Sequence, residues 1–308
     1  MRKRVILNFF VCGLITAGFL SRCEKIIYTY DDQKPQITTP LTILAVTDSS
    51  AEIYWETDEA CHIKIKYGLT TDYGLEYEDP ENCEIHAVTL NGLEPHSLYH
   101  FRVYCWDFAA NGPVKSPDTT FTTLANEYSY LREGWQFFRE KNYSAAKTAF
   151  DSAHQINPFL AEIQAAYGWL QIRTNDLDSA RQNLTAAYNL DHYLPITLAG
   201  LAVISMIDDA PLAAINYVKA VLSLDQQWEY RYNPEISWKS LLLIRAQAYF
   251  QTNQMNLAQA DLDSLWPQNG LNPNLPSSWV VNKQSYDSYE SAFGAALNYL
   301  IANPEKMG

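Results

Sequence analysis

Gly134-Trp135-Gln136-Phe137-Phe138-Arg139-Glu140-Lys141-Asn142-Tyr143-Ser144-Ala145-Ala146-Lys147-Thr148-Ala149-Phe150 is the stretch that decides the fold of the larger part of this chain, because it returns. Ala146, Ala180 and Ala214 recur every 34 residues, as do Phe150, Leu184 and Val218, and Ile156, Leu190 and Leu224. Gly134, Gly168 and Ala202 repeat on the preceding segment, where a small residue lets two helices approach closely. Four registers with one period, in alanine-rich sequence with helical spacing, predict stacked helical hairpins from Asn126 onward.

These residues resemble the tetratricopeptide repeat. The first copy has Gly134, Phe137, Tyr143, Ala146, Phe150, Ala153 and Pro158 in the family's positions, and the second keeps Gly168, Ala180, Leu184 and Ala187. A third copy, Pro195 to Asp225, has lost its glycine. A fourth, with Ala246, Tyr249, Asn253, Ala258 and Leu262, stands ten residues out of register, with an insertion around Gln226 to Trp238. Repeats are expected over 126–266, a turn-rich linker over 267–284 and a capping helix over 285–302, since a bare solenoid end would expose its apolar face.

The resemblance implies that the first helix of each hairpin lines a concave groove. It places Tyr128, Leu131, Trp135, Phe138 and Arg139 there from the first copy, and Glu162, Ala165, Trp169, Ile172 and Arg173 from the second. Rings offer contact area and guanidiniums a fork for carboxylates, so a protein or peptide partner is the expected ligand. The polar clamp of the chaperone-tail-binding members is absent. The third copy puts Ile196, Ala199, Val203, Met206 and Ile207 on the same face, too apolar to stay bare; the sandwich, the insertion or a partner must cover it. The insertion carries Trp228, Tyr230, Tyr232 and Trp238. Its rings either plug the break in the repeat stack or form a glycan-stacking loop.

Upstream, residues 37–124 show short alternating runs with no helical period: Ala51 to Trp55, Ile63 to Tyr67, Val88 and Leu90, and Phe101 to Cys105. Strands at this spacing suggest a sandwich. Trp55 and the run Leu93-Glu94-Pro95-His96-Ser97-Leu98-Tyr99-His100-Phe101-Arg102-Val103 resemble a fibronectin type III domain. Tyr67-Gly68, Asn91-Gly92-Leu93 and Asp107 to Gly112 make it similar to the variant found ahead of purple acid phosphatases. The resemblance implies Trp55 as the core indole and Tyr99 as the corner tyrosine. The expected fold is therefore an all-β fibronectin type III-like sandwich followed by an all-α tetratricopeptide-like superhelix.

Within that topology Cys61 and Cys105 fall on antiparallel neighbouring strands with inward parity, and a disulfide between them is expected, with Cys83 left over. A zinc site of the three thiols with His62 or His86 is the sharper alternative, though no close ligand spacing supports it. No metal or cofactor is expected.

The first residues carry the compartment signal. Met1-Arg2-Lys3-Arg4 precedes an apolar run from Val5 to Leu20, a secretory pattern too short to span a membrane comfortably. Leu20-Ser21-Arg22-Cys23 resembles a lipobox, with Arg22 in place of a small residue. Segment 1–23 is thus read as a signal with Cys23 as the lipidated residue, followed by a linker over 24–36. A bacterial envelope protein, lipid-anchored at the periplasmic or outer face, is expected. The net charge of −13 argues against nucleic acid as a partner.

The sequence holds no GxSxG elbow, no GxxxxGK loop and no HExxH. His62, His86, His96, His100, His154 and His192 lack ligand spacing, and Glu56 to Glu59 and Asp208-Asp209 read as solvated turns. A non-enzymatic scaffold is expected, with a glycan-binding surface lipoprotein as the alternative and an enzyme accessory module third.

Overall fold

The computed structural model describes residues 31–307, together with the backbone of Lys3–Val5 and Ile27–Thr29. Cys23, and with it the expected lipidation site, lies outside them. The chain divides into two compact units, one ending at Asn126 and the other beginning at Glu127.

The first unit is all-β. Lys3–Val5 (β1) and Ile27–Thr29 (β2) pair antiparallel by themselves. The sandwich is built from Thr42–Val46 (β3), Ser50–Gly68 (β4), Leu75–Asn91 (β5), Leu98–Asp107 (β6), Val114–Lys115 (β7) and Thr119–Thr122 (β8). Two of these strands are long because each serves both layers. β4 pairs with β3 and the end of β5 over Ser50–Glu56, then with the start of β5 and with β6 over Cys61–Gly68. The register slips between Glu56 and Ile63, where the strand bends from one sheet to the other.

Alternation sets the core: Ala51, Ile53 and Trp55 from one half of β4 and Cys61, Ile63 and Ile65 from the other point inward. They meet Val88, Leu90, Phe101, Val103, Cys105 and Phe121. Trp55 is fully buried, as expected of the core indole. The Tyr99 hydroxyl accepts a hydrogen bond from the Glu94 backbone N–H at 2.9 Å, five residues upstream. This is the corner tie that the fibronectin resemblance implied for Tyr99.

The second unit stacks four helical hairpins and a last helix. Glu127–Arg139 (α1) pairs with Tyr143–Ile156 (α2), Ala161–Arg173 (α3) with Leu177–Leu190 (α4), Pro195–Ile207 (α5) with Pro211–Leu224 (α6), and Trp238–Gln251 (α7) with Met255–Leu265 (α8). The small residues do what their period implied. A Cβ on Gly134 would lie 2.3 Å from the Phe150 ring, and one on Gly168 would lie 2.6 Å from Leu184 Cγ. Each contact joins the two helices of one hairpin sixteen residues apart in sequence, so the glycine sets how closely they pack.

The hairpin turns repeat too. Lys141, Asn175, Asp209 and Asn253 adopt φ of 59, 60, 56 and 56° at the same place in each repeat. Around them the N–H of Asn142, Asp176, Ala210 and Gln254 reaches the carbonyl five residues back, at 2.8 to 2.9 Å. These are Schellman closures, which satisfy the last carbonyls of the first helix. Asn142 and Asp176 then cap the second helix through their side chains; Ala210 and Gln254 make no such bond.

Beyond α8 the expected linker 267–284 holds a 3₁₀ turn, Pro276–Ser278, and a two-residue hairpin between Val280–Val281 (β9) and Gln284–Ser285 (β10). Asn282 and Lys283 both have positive φ, as a type I′ turn requires. Leu271 and Val281 pack into the core under the closing helix Tyr289–Ala302 (α9), which begins after its cap Ser288. Among the described residues no helix is long and apolar enough to cross a membrane.

Candidate protein-binding surface

The first helices of successive hairpins, α1, α3, α5 and α7, pack against one another and form the inner face of the second unit. That face is already occupied. The insertion between α6 and α7 folds on itself, with Tyr230 N–H donating to the Ile236 carbonyl at 2.9 Å and Trp238 N–H to the Trp228 carbonyl at 2.7 Å. So closed, it lies on the groove. The Tyr230 ring meets Trp135 edge-on at 5.0 Å between centroids, and its hydroxyl donates to a Glu162 carboxylate oxygen at 2.8 Å. Arg231 donates to the other Glu162 oxygen at 2.9 Å, and Arg139 donates to the Tyr232 carbonyl at 3.1 Å.

The groove residues read from sequence therefore divide. Leu131, Trp135, Phe138, Glu162 and Trp169 are buried. They do not face a partner as expected, because Tyr230, Ile236 and Leu241 cover them in one apolar cluster. Trp169 also turns its indole N–H onto the Ile196 carbonyl at 3.0 Å. Its counterpart one repeat earlier, Trp135 Nε1, is buried with no acceptor among the described residues. Ile172 is half-buried, while Tyr128, Arg139 and Arg173 remain exposed. Ile196 and Ala199 of the third copy are covered by the same cluster, Val203 packs against it, and Met206 packs on the core of the last hairpin.

The four insertion rings are unequal. Tyr230 faces the helices and presents no surface to a sugar, whereas Trp228, Tyr232 and Trp238 are half-buried. Burial, reinforced by the Glu162 carboxylate, holds the Tyr230 hydroxyl well above the usual phenol range. The phenol keeps its proton for Glu162 at any ordinary pH.

What stays open is the rim. Arg231 lies 4.6 Å over the Tyr232 ring and 6.0 Å from that of Tyr128, and Arg132 on α1 is exposed. Arg231 has Glu162 as its carboxylate; among the described residues no carboxylate is within ion-pair distance of Arg132 or Arg139. A cavity of about 320 Å³ opens beside Arg231, between it and Glu162, Ile196 and Trp228. Sequence reasoning missed Arg132 and Arg231, since neither lies on a repeat register.

In the first unit, Cys61 and Cys105 lie on neighbouring antiparallel strands and face inward. They are free thiols, so the expected disulfide is not formed. Their partners are each other and a polar knot in the sandwich: Cys61 Sγ is 3.6 Å from His86 Nε2 and from Thr57 Oγ1, and His86 stacks on Trp55 at 4.9 Å. The Cys61 sulfur and burial push the Cys105 thiol up, while hydrogen bonding with Cys105, His86 and Thr57 holds Cys61 below the usual thiol range.

The zinc alternative loses members, since Cys83 is exposed and His62 stacks on Trp106. Among the described residues the group that gathers ligand atoms is Asp31, Glu59 and Asp107. Both Asp107 oxygens already accept from Asn111, through its backbone and side-chain N–H groups, at 2.7 Å each. That pairing accounts for a buried carboxylate in a turn.

No family model matches the chain, and no curated protein matches it. Among solved structures, it is similar to the APC/C hetero-tetramer Cut9–Hcn1, with 19% identity over 44% of this chain and 26% of that one and a TM-score of 0.41. A tetratricopeptide repeat protein from Parabacteroides merdae is 16% identical over 58% of this chain and 62% of its own, with a TM-score of 0.36. The fibronectin type III domain of human fibronectin type III domain containing protein 3 is 15% identical over 32% and 94%, with a TM-score of 0.26. The chain thus spans 26% and 62% of the first two.

Proposed function

We propose that the second unit is a peptide-binding scaffold whose groove holds the chain's own segment 228–238 and whose rim receives an acidic segment of a partner protein. The docked Tyr230-Arg231 pair carries this reading. An irregular stretch of chain lies on the inner face of α1, α3 and α5 and is held by a ring contact, a carboxylate and a guanidinium, the means by which a groove captures a peptide. With the segment in place, Tyr128, Arg132, Arg139, Arg231 and Tyr232 form a cationic and aromatic surface on a chain of net charge −13. Guanidiniums beside rings suit carboxylates on a partner.

The chain works at a bacterial envelope in this reading, held by lipid on Cys23. The basic start and apolar run of residues 1–20 support export, and Leu20-Ser21-Arg22-Cys23 supports lipidation. Metabolic labelling with a clickable palmitate analogue should mark the wild type and leave Cys23→Ser unmarked; equal labelling of both removes the anchor.

Crosslinking and pull-down with the full chain from the source membranes tests the scaffold. Tyr128→Ala with Arg139→Glu should lose the captured protein while far-UV dichroism stays unchanged and melting falls by no more than the loss of the one Arg139–Tyr232 hydrogen bond allows, since both side chains are exposed. Capture that survives both changes removes the rim from the account.

A further inference from the structure

The outer ends of the hairpins carry a second repeated feature, independent of the groove. The residue that ends the second helix of each of the first three hairpins, Asn157, Asp191 or Asp225, accepts through its side chain from the N–H two residues on, at 3.2, 2.9 and 2.9 Å. This Asx turn directs the next-but-one side chain outward. Phe159 and Tyr193, one period apart, are 79% and 77% exposed. Beside them Ile156, Leu190 and Leu224, also one period apart, stay 49%, 46% and 55% exposed. The sequence register that reads as helix packing for Ala146 and Phe150 thus delivers, at Ile156, an apolar ladder to solvent.

Two rungs of that ladder close on a cavity of about 640 Å³, into which Leu190 and Leu224 both face. Its walls add Tyr188, Tyr193 and Tyr217, with the His192 ring 4.5 Å from that of Tyr188. Asp191 lines it, and no lysine or arginine does. Tyrosine faces attract cations, a carboxylate pairs with them, and the leucines suit aliphatic neighbours.

We propose that this cavity is a docking site for an extended segment of a partner protein that places an arginine or lysine among Tyr188, Tyr193 and Tyr217, against Asp191, with aliphatic residues beside it on Leu190 and Leu224. Charge complementarity chooses this occupant: beside the His192 imidazole the lining holds one carboxylate and, among the described residues, no lysine or arginine, in a chain with 35 acidic against 22 basic residues. The site differs from the groove rim in its sign of charge, so the two surfaces select different partner segments.

The test is a phage-displayed random dodecapeptide library panned on the full chain, followed by anisotropy titration of the enriched peptides. Enriched sequences should carry a basic residue flanked by aliphatic ones. Tyr193→Ala, which changes no charge and removes an exposed ring, should weaken them at least tenfold. Asp191→Asn should weaken them severalfold and flatten their salt dependence. The fold survives this change because Asn157 makes the same turn. Arg139→Glu on the rim should not weaken them. Failure to enrich any sequence, enriched sequences without a basic residue, or affinities indifferent to both Tyr193→Ala and Asp191→Asn would each overturn the proposal. So would sedimentation showing a dimer of this chain that Tyr193→Ala dissolves, since the ladder would then be covered by a second copy.

Discussion

Tyr230→Phe removes one oxygen from the point where the insertion is fixed to the repeats. The lost bond, 2.8 Å to a Glu162 oxygen, goes to a carboxylate that is buried. Hydrogen bonds to charged groups contribute about 1.5–3 kcal/mol. Glu162 keeps Arg231, whose side chain is 59% exposed and therefore a weaker substitute. A loss of about 2 kcal/mol follows, which in a unit of this size lowers the melting temperature by about 4–8 °C. Tyr230→Ala also vacates the contact with Trp135 and should cost about 3–5 kcal/mol.

Urea unfolding followed by the helical dichroism signal measures both, since the first unit is all-β. A Glu162→Gln cycle with Tyr230→Phe should return a coupling of about 1–2 kcal/mol. The raised phenol of Tyr230 adds a pH signature. A group whose folded value is raised contributes fully below its unfolded value, about 10, and loses that contribution as pH rises. Alkaline unfolding should therefore be shallower in Tyr230→Phe than in wild type. Stability within 0.5 kcal/mol of wild type for Tyr230→Phe, together with zero coupling to Glu162, would refute the docking.

Gly134→Ala should destabilise the second unit by about 1–3 kcal/mol, because its Cβ would meet the buried Phe150 ring at 2.3 Å. Gly294→Ala in α9, whose Cβ would find its nearest atoms at 3.9 Å, should instead raise stability by about 0.5–1 kcal/mol; thermal melts of the pair check both signs. Lys141→Gly should add about 0.5–1 kcal/mol by relieving φ 59° at the first hairpin turn, read by urea midpoint. Timed alkylation mapped by mass spectrometry should modify Cys83 quickly and leave Cys61 and Cys105 protected until the sandwich opens.

The parts of this molecule that sequence conveys are those encoded by period. Gly134 with Phe150 and Gly168 with Leu184 are legible because a hairpin contact recurs at fixed spacing, and Tyr99 because its partner Glu94 lies five residues away. The groove was legible as a face but not as a free surface. What covers Trp135 arrives from Tyr230, and Arg139 meets Tyr232 ninety-three positions later, a tertiary docking that no periodicity records. Four rings in eleven residues at the break in the repeat read either as a plug or as a glycan-stacking loop; Tyr230 is buried against the helices while Trp228, Tyr232 and Trp238 stay half-buried, a division that sequence does not record. The ladder of Ile156, Leu190 and Leu224 shared the core's period, so spacing alone could not separate buried positions from exposed ones.

Hydrogen exchange on the intact chain tests the self-occupied groove most directly, by comparing the amides of Tyr230 and Trp238 with those of α3. Docking predicts that these two, bonded at 2.9 and 2.7 Å to the Ile236 and Trp228 carbonyls, exchange as slowly as α3, to which Tyr230 is tied through Glu162. Exchange at the rate of a solvated loop, while α3 stays protected, would contradict it.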